Sequence, residues 1–387
     1  MAACLFRCSA AALLACGIAL ASNAPSKVVT PVVAKTTMYG NLIDPGLNRD
    51  SCTSALWYNN VLWVCRDTQQ VLKNGSIGHN IVANTASFSG FPTNPSRPDQ
   101  LTLLSPQGFG PLFYAFQEDE CLPGSCGDNV CGPGVCADGT RWVGWPDTTP
   151  LVVRRGPLNG WVDAYGFMAR QHLTGLTVLN STGNDLFHVI SRVAGEEVIP
   201  NTAMTIANFW SATEIGYGTA CHVIVDGYAY LWGGTPDAKL ALARVDLSSG
   251  TLDYRPSYEF YVNGKWTRTT PLNTDPTIAL PNTSSKQGTI YYSPKWESFV
   301  WIGGDSFPNA NAYISTAPKA EGPWTAAQEF YSGTVGNGTL PAYSALAHPS
   351  LTDGTGDYIF ITWTKTYPDP ATGFDVYEQP LVRVDWK

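Results

Sequence analysis

The sequence predicts an all-β fold with long loops, and three observations point there. No stretch beyond residue 21 sustains a 3.6-residue apolar period. Short aromatic-rich apolar runs recur instead, each closed by a hairpin turn signal. The composition is rich in turn formers, with 37 Gly and 28 Pro in 387 residues. It is also poor in charge, at 14% against roughly 25% for ordinary domains. The same numbers exclude other classes. A chain with 44% hydrophobic and 12% aromatic residues has too much to bury to remain disordered. Glycine has no three-residue period, which excludes collagen, and a long coiled coil would need far more Glu, Lys and Leu.

The N-terminus, Met1 to Ala21, reads MAACLFRCSAAALLACGIALA. Arg7 gives a positive start, and the apolar run Ala10 to Leu20 is too short to span a bilayer. Ala19-Leu20-Ala21 is a small-residue cleavage pattern, so residues 1–21 are expected to be a signal peptide, with an uncleaved anchor as the alternative. Residues 22–46 are expected to be an N-terminal extension, and 47–387 one domain, since no Pro/Ser/Thr linker divides them. Four Asn-x-Ser/Thr sequons, at Asn74, Asn180, Asn282 and Asn337, fit a secreted, extracellular glycoprotein. The net charge is −8 and no basic run of five occurs. Nucleic acid and anionic membrane are therefore unexpected partners, because both are held mainly by Lys and Arg. A monomer is expected.

Seven cysteines remain after the signal. Four form CLPGSCGDNVCGPGVC, with Cys121, Cys126, Cys131 and Cys136 spaced x4 apart in a Gly/Pro-rich loop at 120–137. In an oxidising compartment this reads as two disulfides in one of three pairings. Zinc is the sharper alternative, but the usual C-x2-C spacing is missing. Cys52 and Cys65 are a candidate third bridge, which leaves Cys221 as a buried thiol.

Hairpins follow in order. ALWYNNVLWVC (55–65) is two apolar runs around Asn59-Asn60. CHVIVDGYAYLWGG (221–234) turns at Asp226-Gly227, a type I′ signal. LALARVDLSSGTLDYR (240–255) turns at Ser249-Gly250, TIYYSPKWESFVWIGG (289–304) around Pro294-Lys295, and DYIFITWT (357–364) is a late strand. The units recur at roughly 50 to 80 residues, beyond the 40–45 of WD40 blades, so any repeat carries long loops. Radially repeated four-stranded sheets are one solution, and a pair of β-sandwiches is the other.

The segment richest in chemistry runs from Arg49-Asp50-Ser51-Cys52 to Cys65-Arg66-Asp67-Thr68. A two-residue turn at Asn59-Asn60 makes Asp50 and Asp67 diagonal neighbours on one face, roughly 7–8 Å apart. A register slipped by two opposes them directly, and that register also opposes Cys52 and Cys65. A disulfide requires Cα atoms within roughly 7 Å, so a Cys52–Cys65 bridge would draw the carboxylates together. Paired carboxylates suit glycosidic chemistry, one protonated to help the leaving group and one ionised as base or nucleophile. Their mutual repulsion raises one pKa and splits the roles. The alternative is that the cations Arg49 and Arg66 hold either Asp ionised. The plain alternative is that both aspartates are turn and cap residues.

RDS…LWVCRDT…NTASFS resembles the first blade of five-bladed β-propeller glycoside hydrolases, closest to the endo-D-arabinanase-like family once catalogued as a domain of unknown function. The matching residues are Asp50, Arg66-Asp67-Thr68 and Asn84-Thr85. DGYAYLWGG, LALARVDL and YEFYVNGKW (258–266) resemble that family's middle blades, and AEGPWTAAQEFY (320–331) and YSALAHPSL (343–351) its later ones. The resemblance runs from about Leu47 to the C-terminus and is weakest over 100–205. It implies a five-bladed propeller with Asp50 and Asp67 as catalytic carboxylates at the mouth of the axis, a carbohydrate substrate such as an arabinan-type furanoside polymer, and no cofactor. Arg66 departs from that pattern, which has glycine there.

Other candidates follow. Glu214, in ATEIGYGTA, is a candidate acid from another blade or an exposed loop residue. His348 is a candidate for substrate, for a structural ion near the axis, or for a buried structural role. Tyr343 is a sugar-contacting ring or core, Asn84 a substrate contact, and Trp145, beside the cysteine loop, the first choice for an exposed sugar platform. The remaining readings are a non-catalytic carbohydrate-binding propeller and a cell-surface interaction protein. The chain lacks H-E-x-x-H, G-x-S-x-G, P-loop and dinucleotide motifs, which removes support for metalloprotease, α/β-hydrolase and nucleotide chemistry.

Overall fold

Aromatic and β-branched runs alternate with Gly, Asn, Asp and Pro along the chain, and each run becomes a strand. The computed structural model describes residues 28–58, 60–90, 101–103, 109, 112–121, 132–155, 161–191, 199–305 and 307–387. The expected signal peptide, Cys126 and Cys131 lie outside the described residues. Among those described, helical geometry is confined to single 3-10 turns at Arg255–Ser257, Pro276–Ile278 and Pro349–Leu351.

The chain begins with β1 (Val33–Ile43). Three bent strands follow, in which β2 (Leu47–Arg49) runs into β3 (Cys52–Trp57), β4 (Asn60–Cys65) into β5 (Thr68–Val71), and β6 (Ile77–Val82) into β7 (Thr85–Ser89); β2, β5 and β6 pair as one three-stranded sheet and β3, β4 and β7 as another, and the two are together called the first sheet. After β8 (Leu101–Thr102), a second sheet is built from β9 (Arg141–Val143), β10 (Leu151–Arg155), β11 (Val162–Thr174), β12 (Thr177–Ser191) and β13 (Asn201–Trp210). The third holds β14 (Cys221–Val225), β15 (Tyr228–Gly234), β16 (Leu240–Asp246), β17 (Tyr258–Val262) and β18 (Lys265–Thr267) in sequence order. The fourth holds β19 (Gly288–Ser293), β20 (Ser298–Gly304), β21 (Asn311–Ala317) and β22 (Gln328–Ser332). The last holds β23 (Ala342–Ala347), β24 (Tyr358–Pro368) and β25 (Asp375–Trp386).

Residues 33–43 are more than an extension. β1 pairs antiparallel with β25, from Val33 opposite Trp386 to Leu42 opposite Gln379, so the two ends of the chain share the last sheet. Pairing also covers an edge that would otherwise present free backbone groups.

Five hydrophobic clusters sit between consecutive sheets. Phe88, Tyr114 and Phe187 join the first to the second, and Phe167, Leu231 and Phe260 the second to the third. Trp232, Phe299 and Trp324 join the third to the fourth, and Ile302, Ile361 and Trp386 the fourth to the last. Trp63, Tyr39 and Phe360 join the last back to the first. Each sheet therefore buries both faces, which uses most of the aromatic excess as core. β10 lies beside β14, β14 beside β19, and β19 beside β23. A cavity of about 590 Å³ opens among them, lined by Ser54, Leu151, His222, Thr289, Tyr291 and Pro349.

Local turn chemistry decides the hairpins. Val225 faces Tyr228 across Asp226 (φ +49°) and Gly227 (φ +80°), the type I′ geometry expected of Asp-Gly. The first hairpin differs from expectation by one position. Trp57 faces Asn60 and Tyr58 takes φ +56°, so Asn60 belongs to the second strand and not to the turn. That choice sets the slipped register, with Cys52 opposite Cys65 and Arg49 opposite Thr68.

Candidate active site

All three strands of the first sheet break at one level. Asp50-Ser51 separates β2 from β3, Arg66-Asp67 separates β4 from β5, and Ala83-Asn84 separates β6 from β7. A local break bends a strand and re-aims its side chains, a device common beside active sites. Here Ser51 takes φ +21°. The Asp50 N–H donates to the Asp67 carbonyl at 2.8 Å, and the Arg66 N–H donates to the carbonyls of Asp50 (3.0 Å) and Ser51 (3.2 Å). Two residues away the Cys52–Cys65 disulfide spans a Cα separation of 4.0 Å. The bridge and the backbone bonds hold Asp50 opposite Asp67.

The two carboxylates have different surroundings. Asp50 is buried, and its Oδ1 accepts from the Tyr343 hydroxyl (2.7 Å) and the Ser51 hydroxyl (2.8 Å). Ser51 is itself held by the Thr364 hydroxyl at 2.9 Å. Burial pushes the Asp50 carboxyl up from its ordinary pKa; Arg66 and the two hydroxyls work against that rise, and the Asp67 charge adds to it. Asp67 is also buried, but donors occupy both of its oxygens. Arg141 Nη2 donates to Oδ2 at 2.5 Å, and the Trp145 indole N–H donates to Oδ1 at 2.9 Å. Each carboxylate oxygen thus accepts from a donor of the β9–β10 region.

A polar ring surrounds the pair. The Arg66 guanidinium is ion-paired with Asp147, and it stands close enough to Asp50, Tyr343 and Asp67 for all three to oppose the lowering that burial imposes on it. Asp147 also accepts from Gln287 Nε2 at 2.8 Å, and the Gln287 carbonyl accepts from the Ser344 hydroxyl. Ser344 follows Tyr343, which closes the ring on Asp50. The Tyr377 phenol, on β25, is raised by burial and then by the Asp50 and Asp67 charges. The site thus draws on the first sheet, the loop ahead of β10, the approach to β19 and the last sheet.

The candidates from sequence divide sharply. Asp50, Arg66, Asp67, Trp145 and Tyr343 converge. Trp145 is half-buried, with its indole edge turned to Asp67. The other candidates serve the scaffold. Arg49 is buried and donates to the Ser87 hydroxyl and to the Ala86 carbonyl (3.2 Å), with Asp44 at 3.6 Å. Asn84 is fully buried, donates to the Gly144 carbonyl at 2.9 Å and accepts from the Tyr114 N–H at 2.7 Å, so it clamps the loops beside the site. His348 is fully buried, with Nδ1 at 2.8 Å from the Ser54 hydroxyl and Nε2 at 2.7 Å from the Thr362 hydroxyl. Burial lowers its pKa to about 3, and with both nitrogens engaged it has none free for substrate or an ion. Among the described residues no group of three or more His, Cys, Asp or Glu side chains is arranged to hold a metal.

Glu214 has different partners altogether. It pairs with Arg255 and accepts from the Ser211 N–H at 2.8 Å, and none of these groups belongs to the aspartate cluster. Burial alone would raise its pKa; Arg255 and Ser211 outweigh that and hold it low, the reverse of what a general acid needs. In the cysteine loop Cys121 bonds to Cys136, and Cys221 is a buried free thiol. The four sequon asparagines are all exposed. Arg141, Asp147, Gln287 and Tyr377 were not singled out from sequence. The first two lie in RWVGWPD with Trp145, and that polar-aromatic cluster beside the cysteine loop was the available signal.

No family model matches the chain, and no curated protein matches it. Among solved structures, a candidate hydrolase of Bacteroides ovatus superposes with a TM-score of 0.56 at 14% identity, covering 90% of this chain and 87% of that one. The catalytic domain of a Coprinopsis cinerea GH62 α-L-arabinofuranosidase superposes with a TM-score of 0.44 at 10% identity, over 92% and 98% of the two chains. An exo-β-1,3-galactanase of Phanerochaete chrysosporium gives 0.44 at 11%, over 91% and 64%. At 14% identity the Bacteroides likeness is one of fold.

Proposed function

We propose that the chain is a secreted glycoside hydrolase built as a five-bladed β-propeller, with Asp50 as general acid and Asp67 as base or nucleophile. The observation that carries this reading is the pair of opposed aspartates at the bend of the first sheet, set in opposite ways. Asp50 is buried, with a raised pKa, and suited to carry a proton. Asp67 has both oxygens engaged by donors, Arg141 and Trp145. That division is what acid-assisted departure of a sugar alcohol requires. Trp145 adds aromatic surface beside Asp67. The five inter-sheet clusters, running from first sheet to last and back, support five blades around one axis. Export is supported by the signal-like N-terminus, two disulfides and four exposed sequons. An arabinan-type furanoside polymer is the first substrate to try.

The test is a glycan-hydrolysis panel with wild type, Asp50→Asn and Asp67→Asn. Wild type should release reducing sugar, and each variant should lose about 10²–10⁴-fold, the usual contribution of acid–base catalysis. Full activity in both variants discards the site. Binding of a glycan without release by the wild type would favour a non-catalytic carbohydrate-binding propeller.

A further inference from the structure

A second cavity, of about 260 Å³, lies between the third and fourth sheets, away from the aspartates. Trp301 and Trp324 form part of its wall, with Leu240 and Ile290 beside them. Its polar lining is Asn282, Thr283, Ser284 and Ser315. Trp301 and Trp324 are both buried, so these walls are held in place by the core between the two sheets. Aromatic walls with a few polar groups are the usual surroundings of a sugar ring.

One of those lining residues belongs to a sequon. Asn282-Thr283-Ser284 sits in an exposed turn, with Asn282 at φ +58°. The Asn282 Nδ2, the atom that would carry a sugar, donates to the Trp324 carbonyl at 3.0 Å. After substitution Nδ2 keeps one hydrogen, so this bond can persist. The amide is therefore aimed along the tryptophan wall, and a sugar on it starts at the cavity. Asn74 differs, because its side-chain oxygen accepts from Ser76 (2.8 and 3.2 Å) within its own turn.

We propose that Asn282 is N-glycosylated and that the first sugar of its glycan, an N-acetylhexosamine, seats in this cavity as part of the junction between the third and fourth sheets. The attachment joins sugar C1 to Nδ2, breaks the C1–O bond to a diphosphate leaving group, and releases one amide proton. The donor is a lipid-diphosphate-linked oligosaccharide of the secretory pathway. The proposal rests on the export reading and is independent of the glycosidase reading.

The test is secretion of the full chain from a eukaryotic host, followed by peptide mapping and timed digestion with a peptide-N-glycosidase. Asn282 should be occupied. Its glycan should leave the native protein about tenfold or more slowly than those at other occupied sequons, the factor that ~1.4 kcal/mol of seating provides, and at the same rate after denaturation. Ser284→Ala, which removes the sequon but leaves the Asn282–Trp324 bond, should lower the melting temperature relative to glycosylated wild type. A bare Asn282 beside occupied sequons, or equal native release, overturns the proposal. Four bare sequons overturn the export reading together with it.

Discussion

Replacing Tyr343 by Phe isolates the hydroxyl that faces the proposed acid. The ring stays, and with it the contact to Phe307 at 5.1 Å between centroids. The loss is the O–H donated to Asp50 Oδ1 at 2.7 Å, while Ser51 and Arg66 continue to face the carboxylate. Hydrogen bonds to charged groups contribute about 1.5–3 kcal/mol, and 1.36 kcal/mol corresponds to one pH unit of midpoint, so the Asp50 titration should move by about one to two units. The direction is upward, because the hydroxyl favours the ionised form and burial already works against it. If Asp50 is the acid, it keeps its proton to higher pH, and the falling high-pH limb of kcat/KM moves up with it. The stability effect has the same origin. A carboxyl whose folded pKa lies above its unfolded value stabilises fully below the unfolded pKa, and that contribution is lost as pH rises through the folded pKa. Tyr343→Phe should therefore be more destabilised at neutral pH than near about pH 4. Carboxyl ¹³C NMR titration reads the midpoint without a substrate, and a pH–rate series reads the limb. A midpoint that stays in place or falls in a folded Tyr343→Phe protein refutes the reasoning.

Asp147→Asn should act in the opposite sense. It releases the Arg66 guanidinium from its ion pair and leaves more of its charge for Asp50, so the high-pH limb moves down, and an unmoved limb means that the Arg66–Asp147 pair does not set the charge of the acid. Trp145→Phe removes the indole donor on Asp67 and should cost about 1.5–3 kcal/mol of transition-state stabilisation, roughly 10- to 100-fold in kcat/KM, with folding intact by circular dichroism. Cys52→Ser opens a link between residues 13 apart and should lower stability by about 3 kcal/mol in denaturant titrations, with a further loss of activity as the aspartates lose their fixed opposition. Glu214→Gln should lower the melting temperature through its contact with Arg255 while leaving kcat/KM unchanged, and a large activity loss would return Glu214 to the reaction.

What the sequence discloses here follows the range of each signal. Asp226-Gly227 encodes its turn in two residues, and the turn forms as expected. The first hairpin is harder, because Asn59-Asn60 marks a turn while Asn60 already pairs with Trp57. Side-chain period alone does not separate registers two residues apart, since both keep the same faces. The covalent constraint does: only the slipped register opposes Cys52 to Cys65, and it carries Asp50 to Asp67 with it. The long-range partners have no such marker. Arg141 and Trp145 stand 74 and 78 residues from Asp67, and Tyr343 stands 293 from Asp50, so nothing in local pattern relates them. The pairing of β1 with β25 was equally hidden, because backbone groups close that edge and side-chain identity hardly enters.

Arg66 shows how the two kinds of information combine. In sequence it is a departure, an arginine where the resembled family has glycine. In the structure it stands among three carboxylates, Asp50, Asp67 and Asp147, and bonds directly to the last. Two opposed buried aspartates without a cation between them would repel, and their desolvation would be uncompensated. A guanidinium aimed wholly at Asp50 would instead strip that residue of its proton. Pairing with Asp147, which Gln287 holds from another sheet, leaves Arg66 near enough to offset the burial of Asp50 and too committed elsewhere to cancel it. On this argument the substitution moves charge control from the strand to the ring of loops, and Asp147→Asn and Tyr343→Phe should shift the same titration in opposite directions.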